Sequence, residues 1–240
     1  MTNRYQKHRG DRVPNKHSLC IYIELKTSKF ELTNPGISNF TLHNNHLFCI
    51  LKQCRKKASL IMASTPVVLI LGSGPRIGAA LTKAFSKSGF RVAVASRTKD
   101  GSKSDGVSLS LKADFNDPKS IPALFEAVRA EFGTAPSTVI YNAAALTPPS
   151  EESSLFSITA DSIASDLNVN TISPYVAAQQ AILAWETLPE GTKKTFIYTG
   201  NALNNPVLPV PLYLNLGIGK AASAYWIGTA DALYSAKGIR

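Results

Sequence analysis

Val67–Leu81 reads VVLILGSGPRIGAAL. Five apolar residues end at Gly72, and two further glycines, Gly74 and Gly78, follow with Pro75 between them. A wholly apolar run of this length is the pattern of a strand buried on both faces. From Arg76 onward the period changes. Ile77, Ala80, Leu81, Ala84 and Phe85 recur at helical intervals until Gly89 closes the run. A tight strand-to-helix turn needs a positive φ or a missing Cβ, which glycine supplies. It also leaves backbone N–H groups pointing outward at the positive end of the helix dipole, a site for an anion such as a pyrophosphate. The spacing G-x-G-x-x-x-G is one residue longer than the common dinucleotide fingerprint. Taken alone it also fits a plain strand–helix turn.

Reading outward from this junction, strands and helices alternate. FRVAVASR (90–97) and GVSLSLKAD (106–114) read as strands, and DPKSIPALFEAVRAEFG (117–133) as a helix with Asp117 as N-cap and Pro118 at its first position. STVIYNAAA (137–145) is a fourth strand, a long helix is expected over about 160–187, and KKTFIYTG (193–200) is a fifth strand. YLNLGIGKAASAYWIGTADALYSAKG (213–238) reads as a helix rich in small residues. Such alternation predicts an α/β fold, a doubly wound parallel sheet with helices on both faces. The run KGIR (237–240) stands where a further strand is expected to begin. The reading is therefore of a Rossmann-like fold truncated before its last strands.

The chain has 240 residues, 44% of them apolar, and a formal charge of +10. That charge is uneven. Residues 1–61 carry 11 Lys/Arg and 3 Asp/Glu, whereas residues 62–240 carry the remaining 15 and 13. The expected organisation is a basic, disordered extension over 1–61 and one nucleotide-binding domain over 62–240. MASTPVVLILGSG, from Met62, looks like a natural protein start, so the extension also reads as an upstream gene-model addition. Its beginning weakly resembles an organelle transit peptide, but a cytoplasmic protein is the preferred expectation. The extension has no helical basic face and no regular aromatic interleaving, which argues against nucleic acid. No apolar run approaches the roughly 20 residues that span a bilayer. Cys20, Cys49 and Cys54 and all four histidines precede residue 62. Their spacing matches no compact metal motif, and a disulfide scaffold is not expected.

A nucleotide lying across the strand ends meets the tip of the second strand with its ribose. That tip carries Ser96 and Arg97 where an acidic residue would suit a free 2′-hydroxyl. Arginine suits a 2′-phosphate, and Arg76 adds a second cation, so NADP is expected over NAD.

From about residue 66 onward the chain resembles the short-chain dehydrogenase/reductases. GSGPRIG resembles their glycine turn, ADF their adenine-contacting acid at Asp114, and YNAA (141–144) their N-A-G strand end. NVN (168–170) places Asn170 at their catalytic asparagine, and GKAASAYWIGTADALYSAKGIR resembles their active-site helix. The resemblance implies a cofactor site made from Gly72, Ser73, Gly74, Arg76, Ile77, Gly78, Ser96, Arg97, Asp114, Asn142, Ala143 and Lys220. Of these, Asn142 is expected to shape the strand end rather than take part in chemistry.

The family's usual Y-x-x-x-K pair is broken, since Leu216 stands four residues before Lys220. Tyr213 lies seven residues before Lys220, a spacing similar to that of the enoyl-thioester reductase branch, and two turns bring such positions to nearly one helical face. The expectation is that Tyr213 donates a proton to the substrate oxygen while Lys220 favours the phenolate and holds the nicotinamide ribose. Asn170 is expected to kink its helix and to position a water or Lys220. A serine usually ends the family's fifth strand. Here Thr199 offers a hydroxyl and Gly200 does not. Asn201, Asn204 and Asn205, with Pro206, Pro209 and Pro211, form a loop expected to wall a small-molecule pocket. The leading expectation is an NADP-dependent oxidoreductase acting on a carbonyl or an activated double bond. The alternative is a catalytically impaired nucleotide-binding homologue serving as a sensor or interaction module. Ala-rich faces at 176–184 and 221–232 permit close helix packing and thus a homo-oligomer.

Overall fold

The computed structural model describes residues 65–98 and 106–240. The expectations for the basic extension, with its cysteines and histidines, lie outside the described residues. Five strands form the sheet: β1 (Val67–Leu71), β2 (Arg91–Ser96), β3 (Leu109–Lys112), β4 (Thr138–Tyr141) and β5 (Thr195–Tyr198). Their order is β3-β2-β1-β4-β5, and every pairing is parallel. The helices are α1 (Ile77–Lys87), α2 (Ile121–Phe132), α3 (Ala160–Leu167), α4 (Ser173–Trp185) and α5 (Leu214–Tyr234).

The apolar run that opens the fold is buried throughout. Its alternation divides the core in two. Val67, Leu69 and Leu71 pack with Leu124, Phe125 and Val128 of α2 and Ala177, Ala181 and Trp185 of α4. Val68 and Ile70 face the other way, toward Leu81 and Phe85 of α1. Strand side chains point to opposite faces in turn, so a wholly apolar strand needs helices on both sides. The chain winds outward from β1 to β3, returns, and continues through β4 on the other side of β1. The carboxyl ends of β1 and β4 therefore flank the point where the winding reverses, which is where open α/β sheets form their binding crevice.

Three details depart from the sequence reading. Strand β4 stops at Tyr141, and Asn142–Ala145 run on as irregular chain. The helix expected over 160–187 is interrupted by a π-helical turn at Asn168–Ile172. It starts after Thr159, whose hydroxyl accepts from the Ser162 amide at 3.2 Å. Asp117 caps a short 3₁₀ turn (Pro118–Ser120) ahead of α2 rather than the α-helix itself, accepting from the Lys119 amide at 3.1 Å. At 237–240, Ile239 bridges in parallel to Lys194, and the Phe196 amide donates to Arg240 O at 2.7 Å along the outer edge of β5.

Candidate active site

The glycine turn is built as its residues demand. Gly72 has φ +100°, and a Cβ there would lie 2.7 Å from both Ala143 Cα and the Asn142 carbonyl carbon. Its amide and that of Ser73 donate to Ala95 O at 2.9 and 3.1 Å. Gly78 is equally constrained, since a Cβ would stand 2.6 Å from Ser73 Cα. Gly74 differs. It is exposed, and a Cβ on it would meet nothing within 4 Å. The protein's own packing requires glycine at the two ends of the turn and leaves open space at its middle.

Helix α1 begins there without a side-chain cap and without an acidic residue in its first turn. The amides of Ile77 and Gly78 find no acceptor among the described residues, as the first turn of any helix leaves its donors. Arg76 and Ile77 are exposed beside them. At the neighbouring tip of β2, the Ser96 hydroxyl is buried with no partner, while Arg97 is exposed and has no ion pair among the described residues. Asp114, just past β3, is exposed and uses one oxygen to accept from the Asn116 amide at 3.0 Å. Asn142 Nδ2 donates to Gly72 O at 2.8 Å, and the amides of Asn142 and Ala143 both donate to Leu71 O. Asn142 thus ties the end of β4 to the glycine turn, as its expected shaping role requires. An uncapped helix start, an open glycine, an orphaned hydroxyl and a free arginine along one edge suit a dinucleotide's phosphates and ribose.

The second half of the site lies at the end of β5. Lys220 is 3% exposed. Its Nζ donates to Thr199 O at 2.7 Å and lies 4.3 Å from the centre of the Tyr198 ring. Burial pulls its pKa down to about 8. Burial also pushes the Tyr198 hydroxyl up to about 12, and Tyr141, stacked on it at 6.0 Å, is raised well above the ordinary tyrosine value by burial and then by Tyr198.

Asn170 is fully buried and its side chain is consumed by the fold. Nδ2 donates to Ala145 O at 2.8 Å, and Oδ1 accepts from the Ala145 amide at 2.9 Å. Its carbonyl accepts from the hydroxyls of Tyr198 at 2.9 Å and Ser223 at 2.8 Å. Asn170 sits in the π turn of Asn168–Ile172. Of its two expected partners, a water or Lys220, Lys220 makes no hydrogen bond to it among the described residues: hydroxyl groups occupy the Asn170 carbonyl and the ammonium turns to Thr199. Thr199 likewise directs its hydroxyl inward, to Tyr141 O at 3.3 Å. Tyr213 ends a 3₁₀ turn (Pro211–Tyr213) just ahead of α5, is 36% exposed, and its hydroxyl makes no hydrogen bond among the described residues. Tyr213 therefore stands ahead of α5 and Lys220 about two turns further on, with no hydrogen bond between them among the described residues.

Sequence reasoning missed a buried polar knot beside this site. Asp166 of α3 accepts from the Thr147 amide at 2.8 Å, the Thr147 hydroxyl at 3.0 Å and Asn215 Nδ2 at 3.0 Å. It clasps the loop after β4 to the first turn of α5. It also missed Tyr198, although strand alternation places Tyr198 on the same face as Phe196. Among the described residues no group of His, Cys, Asp or Glu could hold a metal ion, and no helix is long and apolar enough to cross a membrane.

Comparison with known proteins agrees with this geometry. The family model described as Enoyl-(Acyl carrier protein) reductase matches residues 74–199. A short chain dehydrogenase/reductase of Cryptosporiopsis sp. is 39% identical over 188 residues, covering 74% of each chain. Among solved structures, a short-chain oxidoreductase from Brucella ovis with a partially ordered NAD has a TM-score of 0.63 at 19% identity, covering 74% of this chain and 81% of its own. A metagenomic short-chain oxidoreductase in complex with NADP has a TM-score of 0.60 at 20% identity, covering 75% and 80%. Shared family sequence and a shared parallel sheet lead to one conclusion: the chain belongs to the short-chain dehydrogenase/reductase family and has its Rossmann-like fold.

Proposed function

We propose that this chain is an NADP-dependent oxidoreductase acting on a carbonyl or an activated double bond. The observation that carries the reading is the edge formed by the acceptor-less amides of Ile77 and Gly78, the orphaned Ser96 hydroxyl and the free Arg97. The amides and helix dipole bind the pyrophosphate, open space at Gly74 admits it, and Arg97 with Arg76 takes a 2′-phosphate. Asp114 keeps one carboxylate oxygen for the adenine. Solved structures of the same fold hold NAD or NADP, in keeping with a nicotinamide cofactor, so the choice of NADP rests on Arg97 and Arg76; the enoyl reductase description supports the substrate class.

When bound, the nicotinamide supplies or accepts the hydride. The chain's own residues handle the charge that develops on the substrate oxygen. Tyr213, whose hydroxyl is uncommitted, donates the proton. Lys220 brings a positive charge to the end of β5, held by Thr199 O. A second reading, an impaired nucleotide-binding homologue, draws on the separation of these two groups and on Leu216.

Fluorescence titration with NADPH and NADH tests the cofactor. NADPH is expected to bind more tightly, and Arg97→Ala to weaken it about 10–100-fold, with NADH changed less than about threefold. Equal affinity for both nucleotides overturns the NADP assignment. Turnover lost in Tyr213→Phe with NADPH binding intact supports the enzyme. Tight NADPH binding without turnover in the unaltered chain favours the second reading. For assembly, we propose a homo-oligomer through α4 and α5, where Tyr175, Leu183, Tyr225 and Leu233 are exposed.

A further inference from the structure

The carboxyl end of β5 offers no outward hydroxyl, since Thr199 bonds inward and Gly200 has no side chain. Something else fills that place. A Cβ built on Gly200 would overlap Nδ2 of Asn204 and stand 3.0 Å from its Cγ. Gly200 does not have a left-handed φ, so only the carboxamide, and not the backbone, opposes a side chain there.

The orientation of that carboxamide follows from its bonds. Asn204 Oδ1 accepts from the Asn201 amide at 3.2 Å, while Asn201 Oδ1 accepts from the Leu203 amide at 2.9 Å. The 3₁₀ turn Ala202–Asn204 is thereby closed on itself and anchored by buried Leu203, and α5 packs on it. With Oδ1 committed, Nδ2 keeps two N–H donors and makes no hydrogen bond among the described residues. Asn204 is only half-buried, and Gly200 is exposed. The carbonyl of the Thr199–Gly200 peptide holds the Lys220 ammonium.

We infer that Asn204 Nδ2 is the hydrogen-bond donor to the substrate oxygen on which negative charge grows. The inference deepens the proposed hydride-transfer activity and rests on it. A donor held by its own turn needs no reorganisation as the charge develops, and loss of one such donor costs about 100–1,000-fold in kcat.

The test uses Asn204→Asp, Asn204→Ala and the double variant Gly200→Ser/Asn204→Ala, with crotonyl-CoA and nitrobenzaldehyde as probes and NADPH as reductant. Asn204→Asp keeps the acceptor for the Asn201 amide and removes the donor. NADPH titration, read by fluorescence, is expected to stay within about threefold for all three, since the Asn204 side chain bonds only within its own turn and to none of the residues of the nucleotide edge. Turnover is expected to fall at least about 30-fold in both single variants. The double variant places a hydroxyl in the vacated space and is expected to recover at least about tenfold over Asn204→Ala, a rescue that a merely structural asparagine would not show. Single variants within about threefold of the unaltered chain, or a double variant no better than Asn204→Ala, overturn the role of Asn204 alone. An unaltered chain that binds NADPH and turns over neither probe overturns the activity, and the inference with it.

Discussion

Lys220 holds its ammonium 2.7 Å from the main-chain oxygen of Thr199, beneath the face of the Tyr198 ring. One carbonyl and one aromatic face replace the water that the charge would have in an unfolded chain. The pKa of about 8, against 10.5 in the open chain, records that loss. Between these values the unfolded chain binds more protons than the folded one, so stability rises with pH across that window. For one proton the slope is at most about 1.4 kcal/mol per pH unit. Tyr198, raised to about 12, works in the opposite sense, but only above the ordinary tyrosine value of 10. Urea denaturation between pH 7.5 and 9.5 is expected to show the rise, and Lys220→Met to flatten it. An identical slope in Lys220→Met would remove the lysine as its source.

The two outer glycines of the turn and the middle one are expected to behave differently. Gly72→Ala meets the Ala143 backbone at a positive φ, and a loss of about 3 kcal/mol or more of stability is expected. Gly74→Ala meets nothing, so its melting temperature is expected to match that of the unaltered chain. Its NADPH affinity is expected to drop about tenfold, because the methyl group fills the space left for the pyrophosphate. Paired thermal melts and titrations check both. Unchanged binding in Gly74→Ala would place the pyrophosphate elsewhere.

Asp166 joins three segments through three hydrogen bonds to a buried carboxylate. Asp166→Ala leaves the buried Asn215 Nδ2 and the half-buried Thr147 amide without their acceptor, at an expected cost of about 2–4 kcal/mol. Equilibrium denaturation measures it. The same variant is expected to loosen the first turn of α5, next to Tyr213, and so lower kcat more than it weakens NADPH. A stability change within about 0.5 kcal/mol would show that Thr147 and Asn215 re-pair or hydrate.

The exposed apolar residues of α4 and α5 predict association. Tyr225→Glu with Leu183→Lys is expected to shift a dimer or higher species toward monomer in sedimentation velocity, with NADPH binding retained. A monomeric unaltered chain at micromolar concentration would end the proposal.

Much of the fold was legible because its signals are local. An apolar run at Val67–Leu71 can only be a strand covered on both sides, and Gly72 and Gly78 mark places where backbones nearly touch. The alternation of elements then dictates parallel pairing and both helical layers. An irregularity at Asn170 was expected only from the family resemblance; its partner was not legible, because Asn170 reaches across to Ala145, 25 residues away in sequence. Nor could spacing show that Lys220 would turn to Thr199, that Thr199 would bond inward, or that Asn204 would lie over Gly200. Each outcome depends on which donor meets which acceptor once helices and strand ends have docked. Periodicity along the chain determined which faces are buried. Only tertiary structure decided how the polar groups at the strand ends were shared, because hydrogen bonds are satisfied in space and carry no period in sequence.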